Sequence, residues 1–165
     1  MGRFEDVDSG VMDLLHETMQ EFFPELRNVR IKCLYDTKKR MAGGKIVLGR
    51  IQKTNDLLRH LTVEESRSDD GYDCIMYLDR LAWTSIGRPD RVRLMRHELR
   101  HIDLSETGSI KIIDHTITDF YEEVSLNEDD PRWRERVATL TADIYEQEKE
   151  QAEESPRRPR ANRRR

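Results

Sequence analysis

Arg96-His97-Glu98-Leu99-Arg100-His101-Ile102 restricts this chain more than any other stretch. On a helix, its two histidines lie about 40° apart around the axis, so both imidazoles can reach one ion. Glu98 stands about 100° from His97, beside such an ion rather than on it, where a general base would meet an activated water. A helix carrying this arrangement also needs a face for the core and a face for solvent. Gly87-Arg88-Pro89 breaks the chain and launches a helix expected over about 89–104. Val92, Met95, Leu99 and Ile102 form its apolar arc, and Arg93, Arg96, Arg100 and Asp103 form a solvated one. His97 and His101 occupy a third sector, with Glu98 on its flank. A purely structural helix needs only two.

His-Glu-x-x-His on a helix is the pattern of zinc-dependent peptidases. Catalytic zinc usually takes three protein ligands and keeps one position open. In the metzincin spacing, positions 104 and 107 would be Gly and His; they are Leu104 and Thr107, which excludes that class. A gluzincin spacing would use a glutamate about twenty residues downstream, such as Glu122 or Glu123. His115, on the polar side of a helix expected from Asp114 to about Leu126, is the preferred third ligand, with Glu122 the alternative. His115, Asp119 and Glu122 share that polar side, opposite Ile117, Phe120, Tyr121 and Val124. His16 and His60 read as peripheral.

The surrounding sequence has enough pattern for one domain. Ser9 can cap a helix to about Phe23 that ends at Pro24, with Val11, Leu14, Leu15, Met19, Phe22 and Phe23 at helical spacing. Val29–Asp36 alternates as a strand, and Lys45–Gln52 is a second; the Gly43-Gly44 turn between them suggests a hairpin with a longer loop. Lys38, Lys39 and Arg40 in that turn could contact an anion, although a solvated turn is the plainer reading. Asn55–Leu61 reads as a short helix with Leu57, Leu58 and Leu61 inward. Asp73–Asp79 is an apolar run between acids, hence a strand covered on both faces. Asp130-Pro131 signals a helix to about Gln151 with Trp133, Val137, Leu140 and Ile144 as its stripe.

Composition excludes several classes. No apolar run approaches the roughly 20 residues of a membrane span, and Met1–Asp6 lacks the apolar centre of a secretory signal, so a cytoplasmic location is the expectation. Cys33 and Cys74 are the only cysteines and read as buried free thiols. Residues 156–165 hold six arginines and no acid; removing those charges from the net −4 leaves −10 on residues 1–155. An acidic body with a basic tail is an unusual composition for a folded nucleic-acid module. The tail, Arg157–Arg165, offers nucleic acid a possible contact, but a disordered solubilising end explains it equally well.

Asp79…Trp83, His97-Glu98-Leu99-Arg100-His101-Ile102 and Asp114-His115-Thr116-Ile117-Thr118-Asp119-Phe120 together resemble the phage metallopeptidases, zincin-like proteins with a HELxHI core and a later H-D-[VI]-x-[DE]-F segment. Lys45-Ile46-Val47-Leu48-Gly49-Arg50 is similar to that family's strand ending in a small residue and Arg. The resemblance covers about 31–124 and departs from the pattern at Thr116, where Asp is usual. More distantly, the chain is similar to the SprT/Spartan proteases, which act on protein crosslinked to DNA. The family implies His97, His101 and His115 as ligands of one Zn2+ and Glu98 as the base, with Asp119 either orienting the His115 imidazole or pairing with an arginine.

The expected protein is therefore α+β, a minimal zincin-like fold. It should have a mixed or antiparallel sheet of about three strands, with the His-Glu-x-x-His helix in its core. Residues 1–8 should be a flexible leader, 9–151 the metallopeptidase domain, and 152–165 a disordered Arg-rich tail. The expected partner is a protein or peptide substrate in the cytoplasm, possibly that of an infected or lysogenic bacterium. The competing expectation is a non-catalytic zinc protein that acts through protein or nucleic-acid contacts.

Overall fold

A run of six residues, Cys74–Asp79 (β6), is buried along its whole length, as its unbroken apolar sequence requires of a strand covered on both faces. The computed structural model describes residues 2–115 and 119–154. In it, β6 is the centre of a mixed four-stranded sheet. Ile31–Asp36 (β2) runs parallel to it on one side, and Gly49–Lys53 (β5) runs antiparallel on the other. Phe4–Asp6 (β1) adds antiparallel to the far side of β2. Four strands thus stand where three were expected. The fourth comes from the segment expected to be a flexible leader, which also supplies Asp8 as the helix cap in place of Ser9.

The expected hairpin between β2 and the 45–52 strand does not form, because β6 lies between β2 and β5. The Gly43-Gly44 turn instead closes a small hairpin of Met41–Ala42 (β3) and Lys45–Ile46 (β4). Both glycines have positive φ, 55° and 75°, the backbone that a two-residue turn of this kind needs.

Ser9–Phe22 (α1) ends before Pro24 and buries Val11, Leu14, Leu15 and Met19. Asp56–Leu61 (α2) and Val63–Ser66 (α3) cross to β6. Leu57 and Leu61 are exposed, contrary to expectation, because α2 lies at the periphery with none of its residues buried. Asp79 ends β6 and caps Arg80–Ser85 (α4) through the Ala82 N–H. The histidine-bearing helix follows as Arg88–Arg100 (α5). Leu94, Met95 and Leu99 are at most 1 % exposed, and each contributes roughly 1.5–3 kcal/mol of burial. The helix packs against α1 and β5.

Two boundaries around α5 differ from the periodicity. The helix stops at Arg100, and Ile102–Leu104 (β7) pairs antiparallel with Ile110–Ile112 (β8). Residues 102–104 carry helical spacing on paper, but Ile102 is buried as a strand residue. The following helix, Tyr121–Leu126 (α6), begins later than Asp114. Trp133–Glu154 (α7) buries Trp133, Val137 and Thr141, while Leu140 is exposed and Ile144 half-buried. No helix among the described residues is long and apolar enough to cross a membrane. Residues 152–154, expected in the disordered tail, continue α7, while the basic tail from 155 and Thr116, Ile117 and Thr118 lie outside the described residues.

Candidate metal centre

The β7–β8 hairpin brings the chain back to the end of α5. Its register sets Ile112 opposite Ile102, so Ile113 meets the helix terminus, and the Ile113 N–H donates to the His101 carbonyl at 2.8 Å. Two residues later comes His115, at the mouth of the returning segment and not on a helix face. His97, His101 and His115 each present one ring nitrogen, and the three lie within 4.8 Å of one another. Their ring centroids stand 5.2, 5.3 and 5.6 Å apart. Phe120 packs edge-on to His101 and His115 and tilted to His97, walling one side of the cluster.

Hydrogen bonding fixes two of the tautomers. His101 Nδ1 donates to the Ile113 carbonyl at 2.5 Å; a carbonyl only accepts, so the proton is on Nδ1 and the lone pair on Nε2. His97 Nδ1 donates to Asp119 Oδ1 at 2.6 Å, leaving its Nε2 lone pair free in the same way. Burial drives His97 down to about 4, against the upward pull of Asp119. Burial also lowers His101, against its bond to Ile113. Burial pushes Asp119 up, but its bond to His97 outweighs this and holds the carboxyl below its usual range. Neutral imidazoles backed by an ionised carboxylate and a carbonyl are the donor set that borderline divalent cations take. The cluster fits zinc.

Asp119 is thus hydrogen-bonded to the His97 imidazole, where its partner was expected to be His115 or an arginine. Glu122 is exposed, and Glu123 is committed elsewhere. The Glu123 carboxylate, fully buried, accepts from Arg96 Nε at 3.0 Å and from Arg100 Nε at 3.1 Å. Arg96, expected in a solvated arc, is 7 % exposed for this reason. Its ion pair clamps α6 onto α5 and leaves neither Glu122 nor Glu123 at the histidines.

Glu98 points from α5 toward β5 and is 2 % exposed. A Cβ on Gly49 would lie 3.0 Å from its Oε1 and 3.2 Å from its Cγ, so the bare glycine backbone makes its room. Burial pushes the Glu98 carboxyl up to about 8. Arg134, at the start of α7, acts on His97, Glu98, His101 and Asp119 through its charge. Sequence reasoning missed Arg134 and Phe120 as site residues. Phe120 carries a signal in the His115…Phe120 segment, whereas nothing around Arg134 announces it.

No curated protein and no solved structure matches the chain at a significant level. A family model does, over residues 4–145, and it includes β1, the whole histidine cluster and most of α7. The chain belongs to the family described as "Putative phage metallopeptidase".

Proposed function

We propose that this protein is a zinc peptidase in which His97, His101 and His115 hold one Zn2+ and Glu98 is the general base. The observation that carries the reading is the pair of Nδ1–H bonds, His97 to Asp119 and His101 to Ile113, which leaves both Nε2 lone pairs for a shared ion next to His115. When bound there, zinc supplies a Lewis acid that makes a water acidic near neutral pH and polarises a carbonyl oxygen.

The chain's residues do the rest. Glu98, beside the cluster and enclosed by Gly49, in its ionised form accepts the proton of the attacking water at its carboxylate and returns it to the leaving amine nitrogen. Asp119 and the Ile113 carbonyl hold two imidazoles in the tautomer and orientation a cation needs. Phe120 shields the cluster from water on one side.

An extended peptide would lie along β5. β6 cannot serve, being central; of the two outer strands, β1 and β5, it is β5 that passes Glu98, at Gly49. Asp79 N–H donates to the Leu48 carbonyl and Thr54 N–H to the Asp73 carbonyl. That phase turns the backbone groups of Gly49, Ile51 and Lys53 away from β6, toward an added strand.

The test combines bound-metal analysis with Glu98→Gln on a broad peptide library. The reading expects wild type to cut and the variant to keep zinc while losing cleavage by several orders of magnitude. Equal cleavage by both, or cleavage by neither with zinc retained, would leave a non-catalytic zinc protein instead.

A further inference from the structure

On the sheet face turned away from α5, the proposed chemistry leaves a second polar cluster unused. Arg50 of β5 lies over the Tyr77 ring with its guanidinium carbon 4.1 Å from the centroid. Its Nε is buried without a hydrogen-bond partner, and its Nη1 makes only a long contact to Gln52 Oε1 at 3.4 Å. Arg40, from the turn before β3, also has a buried Nε with no hydrogen bond. Burial and then the Arg40 charge hold Arg50 below its ordinary pKa.

The nearby carboxylates are already committed. Asp36 takes Arg3 through both its oxygens at 2.8 Å and accepts from the Lys38 N–H. Arg40 Nε is 3.6 Å from it, beyond a hydrogen bond. Asp79 accepts from the Ala82 N–H at 2.9 Å and from the Tyr145 hydroxyl at 2.7 Å. Between these groups is a cleft of about 10 Å³, which admits one carboxylate oxygen while the rest of the carboxyl group stays at its mouth.

Two guanidiniums that each bury an Nε–H without a hydrogen bond favour an anion beside them over a cation. The fork of an arginine fits a carboxylate in particular. The position suggests where that carboxylate comes from. Successive strand residues face opposite sides, so Gly49 faces Glu98 while Arg50 faces the cleft. A peptide along the outer edge of β5 presents its side chains to the same two faces in turn.

We propose that Arg50, assisted by Arg40, forms a subsite for an acidic side chain of the substrate, so that the enzyme selects peptides carrying Asp or Glu within a residue or two of the scissile bond. This rests on the peptidase reading above.

The test measures equilibrium binding of peptide pairs that differ by Glu against Gln at each position around the centre. It uses the full-length, zinc-loaded Glu98→Gln protein, alone and combined with Arg50→Gln or Arg50→Lys. In parallel, acetate and inorganic phosphate are titrated against the Arg50 Nε–H resonance. The proposal expects about tenfold tighter binding of one Glu peptide, about 1.4 kcal/mol. Arg50→Gln should abolish that preference and Arg50→Lys should keep part of it. Peptide binding with no Glu preference, or one that survives Arg50→Gln, would overturn the proposal while leaving the peptidase reading in place. Acetate shifts without peptide discrimination would mean a free-anion site only and would also overturn it. No peptide binding at all would overturn the peptidase reading, and this assignment with it.

Discussion

Gly49→Ala is the most informative small change in the molecule. The added methyl would stand 3.0 Å from Glu98 Oε1, 3.2 Å from its Cγ and 3.3 Å from its Cδ. Ordinary contact for such atoms begins near 3.5 Å, so the carboxylate must retreat by about half an ångström. Glu98 is 2 % exposed and has little space to retreat into. A misplacement of about 1 Å at a reacting group costs on the order of a hundredfold, so half of that costs about tenfold, or roughly 1.4 kcal/mol in the barrier.

Stability should move differently. Gly49 lies outside the positive-φ region, so alanine fits its backbone and gains about 0.4–1 kcal/mol from the unfolded state, which the crowding offsets. The expected variant therefore melts within a few degrees of wild type, binds zinc in full and loses about tenfold in kcat. Peptide cleavage, thermal melting and bound-zinc analysis on one preparation separate these effects. Unchanged kcat in a fully folded, zinc-replete variant would refute the placement of Glu98 against Gly49 as a catalytic arrangement.

Other outcomes follow from the same contacts. Asp119→Asn should weaken zinc affinity by about ten- to a hundredfold in a chelator competition, because the amide no longer holds His97 as an anionic acceptor does; unchanged affinity would remove Asp119 from the site. Asp90 accepts from Arg136 at 2.7 and 2.8 Å and from Arg93 at 2.8 Å; burial pushes its pKa up, but these bonds outweigh that and lower it. A lowered folded pKa gives stability that is present above the unfolded value near 3.9 and lost as pH falls through the folded one. Asp90→Asn should thus cost about 1–3 kcal/mol in urea unfolding at pH 7, with the gap closing below about pH 4; a pH-independent gap would contradict this. Burial pushes the Cys33 and Cys74 thiols up to about 12, so a thiol reagent at pH 8 should label neither until the chain is unfolded, and rapid labelling of the folded chain would argue against their burial.

The sequence announced what depends on local pattern and missed what depends on pairing at a distance. The alternation in 31–36 and the unbroken apolar run in 74–79 marked both core strands, and Pro24 and Gly87-Arg88-Pro89 marked helix limits. The β2–β6–β5 order was hidden, since a parallel β2–β6 pair leaves no signature in either strand. The hairpin after His101 was hidden as well: Ile102 and Leu104 continue the helical spacing, and only their pairing with Ile112 and Ile110 makes them strand. That error placed His115 on a helix, although its grouping with His97 and His101 in space follows from the turn the hairpin makes. Arg96 shows the same limit. An arginine one turn from Arg93 and Arg100 reads as solvated until a buried glutamate 27 residues later is found beside it.

We propose that three histidines, from α5 and the segment after β8, hold one zinc. Zinc-edge X-ray absorption on the chain loaded with one equivalent, beside His115→Ala, tests it most directly. The expected shell is three imidazole nitrogens at about 2.0–2.1 Å and one exchangeable oxygen donor, with the variant losing one nitrogen and most of its affinity. A zinc shell containing sulfur or several carboxylates, or a spectrum and affinity unaltered by His115→Ala, would contradict it.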